Sequence, residues 1–333
     1  MEVQKLTVAI PVLNGGVRFR ETLAALKRQR NASGVELEIL IVDSGSTDGS
    51  VEAARDAGAR LIEIDKSQFQ HGATRNMAIE QSTGDVVAML TDDSTPASEG
   101  WLDAIVEGFA QADEVALVFG PQLPRPEHSP MVRREMLEHF SSWGDGESVD
   151  IQQIGEGAAA REDYELRKGD YVFFSDANGA VARWAWQQVP YREVPYAEDQ
   201  LLGREMLERG YAKVFHPRAA VLHSHDYSDW RWLKRRFDDY RGVLEVFGHC
   251  TPFRPITGVR NVLSLVSGDR QFMREEGTRG PSLMLWTFRS LRHHGLRQLG
   301  EWLGGRADRL PVALTRRLSL DGRGGSQRAT DLP

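Results

Sequence analysis

Two adjacent carboxylates, Asp92 and Asp93, follow the run "DVVAML" at residues 85–90 of this 333-residue chain. A buried strand gains nothing from them, because ionised carboxylates are costly to bury and repel each other. The pair reads either as a charged turn before Pro96 or as a ligand pair. Successive side chains of an extended segment point to opposite sides. One carboxylate is then free to accept hydrogen bonds from a ribose while its neighbour binds a divalent cation. Mg²⁺ or Mn²⁺ suits that arrangement, since it takes a few oxygen ligands and leaves the rest of its shell to substrate phosphates. Asn14 after "VAIPVL" and Asp43 after "LEILIV" end apolar runs in the same manner.

Further along, "AEDQLLGREML" puts Glu198 and Asp199 in the first turn of a predicted helix. Acidic residues there complement the helix dipole. The dipole would lower the pKa of Asp199. His223 and His225 stand two apart in "VLHSHDY". If a strand extends that far, both rings face one side and one of them contacts a metal or a diphosphate. Otherwise they are strand-end histidines bonded to loop carbonyls. Phosphate-cradling loops are missing: there is no G-x-x-x-x-G-K-[ST], and "PVLNGG" lacks the G-x-G-x-x-G spacing. Phosphate binding through a metal remains, which favours a nucleotide-diphosphate donor over NAD or ATP hydrolysis.

The elements that must position these groups alternate in the first 120 residues. The β-rich runs "LTVAIPVL", "ELEILIVD", "RLIEI", "DVVAML" and "VALVFG" are separated by the helical patterns "RFRETLAALKRQR", "SVEAARDAG" and "TRNMAIEQS". That order predicts an α/β fold with parallel strands joined by crossover helices. Residues 121–168, rich in Pro and Gly, read as a long excursion with a mobile loop. A helix across "AEDQLLGREMLERG" and a strand near "AAVLHSH" follow. Trp230, Leu233, Phe237, Tyr240, Leu244 and Phe247 then recur at steps of three and four, the mark of an amphipathic helix. Another helix is expected over roughly 283–303, then a disordered tail over 320–333.

The net charge of −7 hides an asymmetry. Residues 1–230 hold 22 Lys and Arg against 38 Asp and Glu, whereas residues 231–317 hold 17 against 8. The acidic part argues against nucleic acid as partner. The basic, Trp- and Arg-rich part suits a helix against an anionic membrane surface or one packed on the catalytic domain with Arg outward. One cysteine, Cys250, excludes an internal disulfide and a Cys-rich zinc site. With no signal-peptide pattern and no long apolar run, the expected location is cytoplasmic, with peripheral contact at the inner membrane face allowed by the basic helices.

Taken together, "VAIPVLN", "IVDSGSTDGS", "FQHGATRNMAI", "GDVVAMLTDDSTP" and "YAEDQLLGREMLERG" resemble the family-two glycosyltransferases of GT-A fold, over roughly residues 5–245. "HGATRN" with "VLHSHDYS" and the basic helix is most like the bacterial rhamnosyltransferase subgroup. The resemblance implies a mixed, mostly parallel sheet flanked by helices. It implies a catalytic domain over 1–229, divided near residue 120 into nucleotide and acceptor halves, with a helical extension over 230–319. Pro11, Val12, Leu13 and Asn14 would line the base pocket, Asp43 would bond the pyrimidine with Ser44 beside it, and Arg75 and His71 would adjoin the nucleotide. Asp92 would hold the ribose, and Asp93 the metal, with His223 or His225 completing its shell. Asp199 would be the base of an inverting transfer, and Asp176, Asn178, Gly179 and Glu198 would face the acceptor.

The activity so implied is metal-dependent transfer of a sugar, with dTDP-rhamnose the leading donor and UDP-hexoses and GDP-mannose the alternatives. The acceptor would be a glycan or lipid-linked glycan of the cell envelope. Two rivals differ in kind. A sugar nucleotidyltransferase needs a Gly-rich, Arg- and Lys-bearing phosphate loop after the first strand, which "PVLNGGVRFR" matches poorly. A non-catalytic glycan-binding relative would be expected to lose the metal Asp or the base, and both are present.

Overall fold

The computed structural model describes residues 1–143, 146–194, 196–248, 255–320 and 322. Cys250, the side chain of Phe247 and nearly all of the expected disordered tail lie outside the described residues. The chain divides into two compact units. The first comprises residues 1–125, 136–193 and 198–224. The second comprises 126–135, 194–197 and 225 onward.

The first unit is built on an eight-stranded sheet. Its strands are β1 (Lys5–Val12), β2 (Glu36–Asp43), β3 (Arg60–Glu63), β4 (Val86–Leu90), β6 (Val115–Phe119), β8 (Asp150–Gln152), β9 (Asn178–Ala182) and β10 (Ala212–Phe215). Short strands β5 (Thr95–Pro96), β7 (Gln122–Leu123) and β11 (Val221–Leu222) form a second, three-stranded sheet. The order across the large sheet is β3-β2-β1-β4-β9-β6-β10-β8. β3, β2, β1 and β4 run parallel, as do β6 and β10, and β9 is antiparallel to both its neighbours.

The apolar content of these runs explains the layering. Every residue of β4, β6 and β9 is buried, as a sheet covered on both faces demands. Register then sets the site. Val12 pairs with Asp43, and Leu90 pairs with Asn178. The carboxyl ends of β1, β2 and β4 therefore meet the amino end of β9 on one rim, where open α/β sheets bind ligands.

The long-loop expectation for residues 121–168 is corrected. Helices occupy Pro130–Ser141 and Ala158–Leu166. Pro130 begins the first of these, where its missing N–H costs nothing, and Met131, Val132 and Phe140 are buried. Proline read as punctuation was marking a helix start.

The second unit is helical. Asp229–Phe247, Pro255–Glu275 and Gly280–Gly304 are its long helices. Leu233 and Phe237 are buried with Ala307 and Leu318. Gly300 and Gly304 allow close backbone approach: a Cβ on Gly304 would stand 2.3 Å from the carbonyl oxygen of Phe237. The helix at 255–275 has no counterpart in the sequence reading. Among the described residues, no helix is long and apolar enough to cross a membrane.

Candidate active site

The loop after β2 is stapled to the loop after β1. Asp43 Oδ1 accepts the N–H groups of Gly45 and Ser46, each at 2.9 Å. Asn14, in the left-handed region at φ 54°, accepts the Thr47 N–H at 2.8 Å. Asp48 accepts the Gly16 N–H at 2.8 Å. Asp43 is only 2% exposed, yet its Oδ2 is buried without a hydrogen bond. Such an atom calls for a donor. Leu13 is exposed and Pro11 half-buried, while Val12 is turned into the core. Ser44 is buried, and both its N–H and its hydroxyl donate to the Val12 carbonyl.

Beyond β4, burial first and Asp93 second push the Asp92 carboxyl up to about 6. Asp93 Oδ1 accepts from the Thr91 hydroxyl at 2.9 Å and lies 3.5 Å from His223 Nε2. β11 ends at Leu222, so strand alternation does not orient His223. Gln122 does: its Oε1 meets His223 Nδ1 at 2.8 Å, while its amide nitrogen donates to Ser175 at 3.0 Å. With Nδ1 held by Gln122 Oε1, His223 presents its Nε2 to Asp93. A ring nitrogen facing a carboxylate suits a cation between them, and the outer hydrogen bond is the one metal-binding histidines usually make. The donor set fits Mg²⁺ or Mn²⁺. Arg125, 5% exposed, braces this corner by donating to the Asp93 carbonyl at 2.9 Å. His225, exposed, opens the second unit and stacks on Tyr227.

Gln122→Leu removes the group that orients His223. It is expected to weaken Mn²⁺ affinity by about 10–100-fold with little change in fold, as read by titration calorimetry and circular dichroism.

A second cluster forms where the helix His71–Gln81 meets the helix Glu198–Glu208. Arg75 pairs with Asp176 at 2.7 Å and with Glu198 at 2.5 Å. Tyr191 donates its hydroxyl to Asp176 at 2.5 Å. Asp199 Oδ1 accepts its neighbour's N–H at 2.8 Å, and Oδ2 accepts from the Asp176 N–H at 3.3 Å. The expected dipole effect on Asp199 is corrected. Desolvation, then the charges of Glu198 and Asp176, raise its pKa well above the ordinary carboxylate range. Two buried like charges outweigh a helix terminus. His71 is half exposed, with Nδ1 4.0 Å from Glu198.

The residues expected to face the acceptor are engaged within the protein. Asp176, Asn178 and Glu198 are buried. Arg75 and Tyr191 occupy Asp176, and Arg75 occupies Glu198. Asn178 accepts from Trp101 at 3.0 Å and donates to the Ala219 carbonyl at 2.7 Å. A Cβ on Gly179 would stand 2.5 Å from the Phe174 ring, so its clearance serves Phe174. Arg75 likewise is paired within the protein, with Asp176 and Glu198. Gln122, Arg125 and Tyr191 were missed. The first two sit in a Pro-rich stretch that reads as loop, and nothing local marks Tyr191.

Arg75 pairs with both Asp176 and Glu198, which makes it a stability determinant. Arg75→Ala is expected to cost about 3–5 kcal/mol, because uncompensated buried charges are strongly destabilising. The loss should shrink at pH 5, where the carboxylates with raised pKa are protonated and need no partner. Urea denaturation at pH 5 and pH 8 measures both.

A mixed, mostly parallel sheet with carboxylates gathered on one rim is the architecture of the GT-A fold. Residues 7–143 match the family model Glycosyl transferase family 2. Over those residues the chain matches the family-two glycosyltransferases, and along nearly its whole length it is similar in sequence to rhamnosyltransferases. It is 27% identical over 325 residues to the O-antigen chain rhamnosyltransferase RfbN of Salmonella typhimurium, covering 95% of this chain and 94% of that one. It is 27% identical over 322 residues to the O-antigen chain rhamnosyltransferase WbaN of Salmonella anatum, covering 94% and 93%. In structure it resembles the mannosyltransferase PcManGT of Pyrobaculum calidifontis, solved with GDP-Man and Mn²⁺, with a TM-score of 0.55 at 16% identity over 92% of this chain and 86% of that one.

Proposed function

We propose that this enzyme transfers rhamnose from dTDP-rhamnose to a growing envelope glycan, with inversion at the sugar carbon. The carrying observation is the pairing of Asp93 with the Gln122-oriented His223, in a chain similar along nearly its whole length to O-antigen rhamnosyltransferases. Asp43 Oδ2 accepts the ring N–H of the pyrimidine, and Leu13 covers the base. Asp92 holds the ribose hydroxyls. Asp93 and His223 hold Mg²⁺ or Mn²⁺, which when bound offsets the charge of the leaving diphosphate. Asp199 takes the proton of the acceptor hydroxyl as its oxygen attacks the anomeric carbon and the bond to the diphosphate breaks. One base suffices for a single displacement.

Thermal shift with dTDP-rhamnose, UDP-hexoses and GDP-mannose, each with and without Mn²⁺, tests the reading. The largest stabilisation is expected with dTDP-rhamnose and Mn²⁺. A larger shift with another donor would overturn the rhamnose assignment, and a shift indifferent to Mn²⁺ would overturn the metal.

The second unit adds a setting. On the helix Gly280–Gly304, Met284, Leu285, Phe288 and Leu291 are exposed along one face, with exposed Arg289 and Arg292 among them. Apolar residues rimmed by arginine suit peripheral contact with anionic lipid, at the inner face where a lipid-linked acceptor would be met. Co-sedimentation with anionic liposomes is expected at low salt and is expected to fall severalfold in Leu285→Glu/Phe288→Glu. Equal binding to neutral liposomes would count against it.

A further inference from the structure

The second unit holds a polar cluster that the transfer reaction does not use. His293 and His294 are consecutive in the helix Gly280–Gly304, about 100° apart around its axis. Both nonetheless reach Glu135: His293 Nε2 lies 3.4 Å from Oε2, and His294 Nδ1 lies 3.4 Å from Oε1. The His294 side chain is fully buried. Its Nε2 is 2.7 Å from Asp269, which also accepts from Ser290 at 2.5 Å and pairs with Arg134 at 2.6 Å. Asp269 holds His294 at Nε2. Nδ1 is buried with no hydrogen bond and faces a carboxylate.

We propose that Glu135, His293 and His294 form a structural Zn²⁺ site. One nitrogen from each histidine and one Glu135 oxygen already lie within 4.8 Å of one another. Zinc bonds of about 2.0–2.1 Å to nitrogen place tetrahedral ligand atoms about 3.4 Å apart, the separation of His294 Nδ1 from Oε1 and of His293 Nε2 from Oε2. Two imidazoles and one carboxylate favour zinc over Mg²⁺. Asp269 supplies the outer hydrogen bond that fixes the His294 tautomer. Arg297 holds Glu135 Oε1 at 2.8 Å and Trp232 stacks on His293 at 4.5 Å, so both ligands are held in place before a metal arrives. The ion would tie the helices carrying Glu135 and the histidine pair.

The test is zinc content by plasma mass spectrometry on the full chain, tag removed, after dialysis against Mg²⁺. About one zinc per chain is expected in wild type and in Asp93→Ala, and less than about a tenth as much in Glu135→Gln and His294→Gln. Should those variants misfold, cobalt-loaded Asp93→Ala decides, through the intense visible absorption of tetrahedral Co²⁺. In the apoprotein, micromolar Zn²⁺ should raise Tm by several degrees where Mg²⁺ does not. Absence of zinc together with no Zn²⁺-dependent Tm shift would overturn the site and leave a protonated His294 bridging two carboxylates. Full zinc retention in folded His294→Gln would overturn it too, as would a Co²⁺ spectrum of octahedral type.

Discussion

Asp199→Asn is expected to lower turnover by about 10²–10⁴-fold, the usual worth of a positioned general base, with donor affinity unchanged within about twofold. The substitution keeps the side chain's shape, removes its ability to take a proton and gives up one of the two backbone N–H groups it accepts. The pH profile carries the sharper signature. Burial and the charges of Glu198 and Asp176 raise the Asp199 pKa, and a base works only when deprotonated. Wild-type activity should therefore climb with pH through a midpoint well above the ordinary carboxylate value of about 4. In Asp199→Asn that acid limb should vanish from the residual rate. Stability runs the opposite way: a carboxylate whose folded pKa is raised costs the fold more as pH rises past its unfolded value. Near-normal turnover in folded Asp199→Asn would remove the base assignment.

Asp93→Ala acts on a different step. It is expected to weaken Mn²⁺-dependent binding of a nucleoside diphosphate by about 100-fold or more, a loss of about 3 kcal/mol, and to abolish transfer. Binding without metal should change little. Calorimetry with dTDP at fixed Mn²⁺, on Asp93→Ala and Asp199→Asn side by side, separates the two roles. If Asp93→Ala binds dTDP and Mn²⁺ as wild type does, the cation is held elsewhere. A neutral residue there also relieves Asp92, whose carboxyl is pushed up partly by Asp93, so the apoprotein should not lose stability.

Much of the fold was legible because it is local. Runs apolar on both faces, alternating with helical patterns, dictate a helix-covered sheet, and the carboxylates closing those runs mark its functional rim. Asp43, Asp92 and Asp93 could be singled out because a buried strand has no use for them. The helix at 255–275 escaped notice because its exposed Val259 and Leu263 blur its apolar face, and Pro130 hid another helix start.

What the order of residues could not decide was which polar groups are spent on one another. Asp176 and Glu198 look like acceptor ligands until Arg75, a hundred or more positions away, is seen to bind both. Asn178 looks free until the Trp101 indole and two backbone carbonyls take it up. The pKa of Asp199 reverses direction for the same reason: helix position predicts a shift down, but neighbours brought in by folding desolvate it and crowd it with charge. Local sequence determines which element a residue joins. Only the packing of distant elements sets the dielectric and the charges around it, and these decide what it can do.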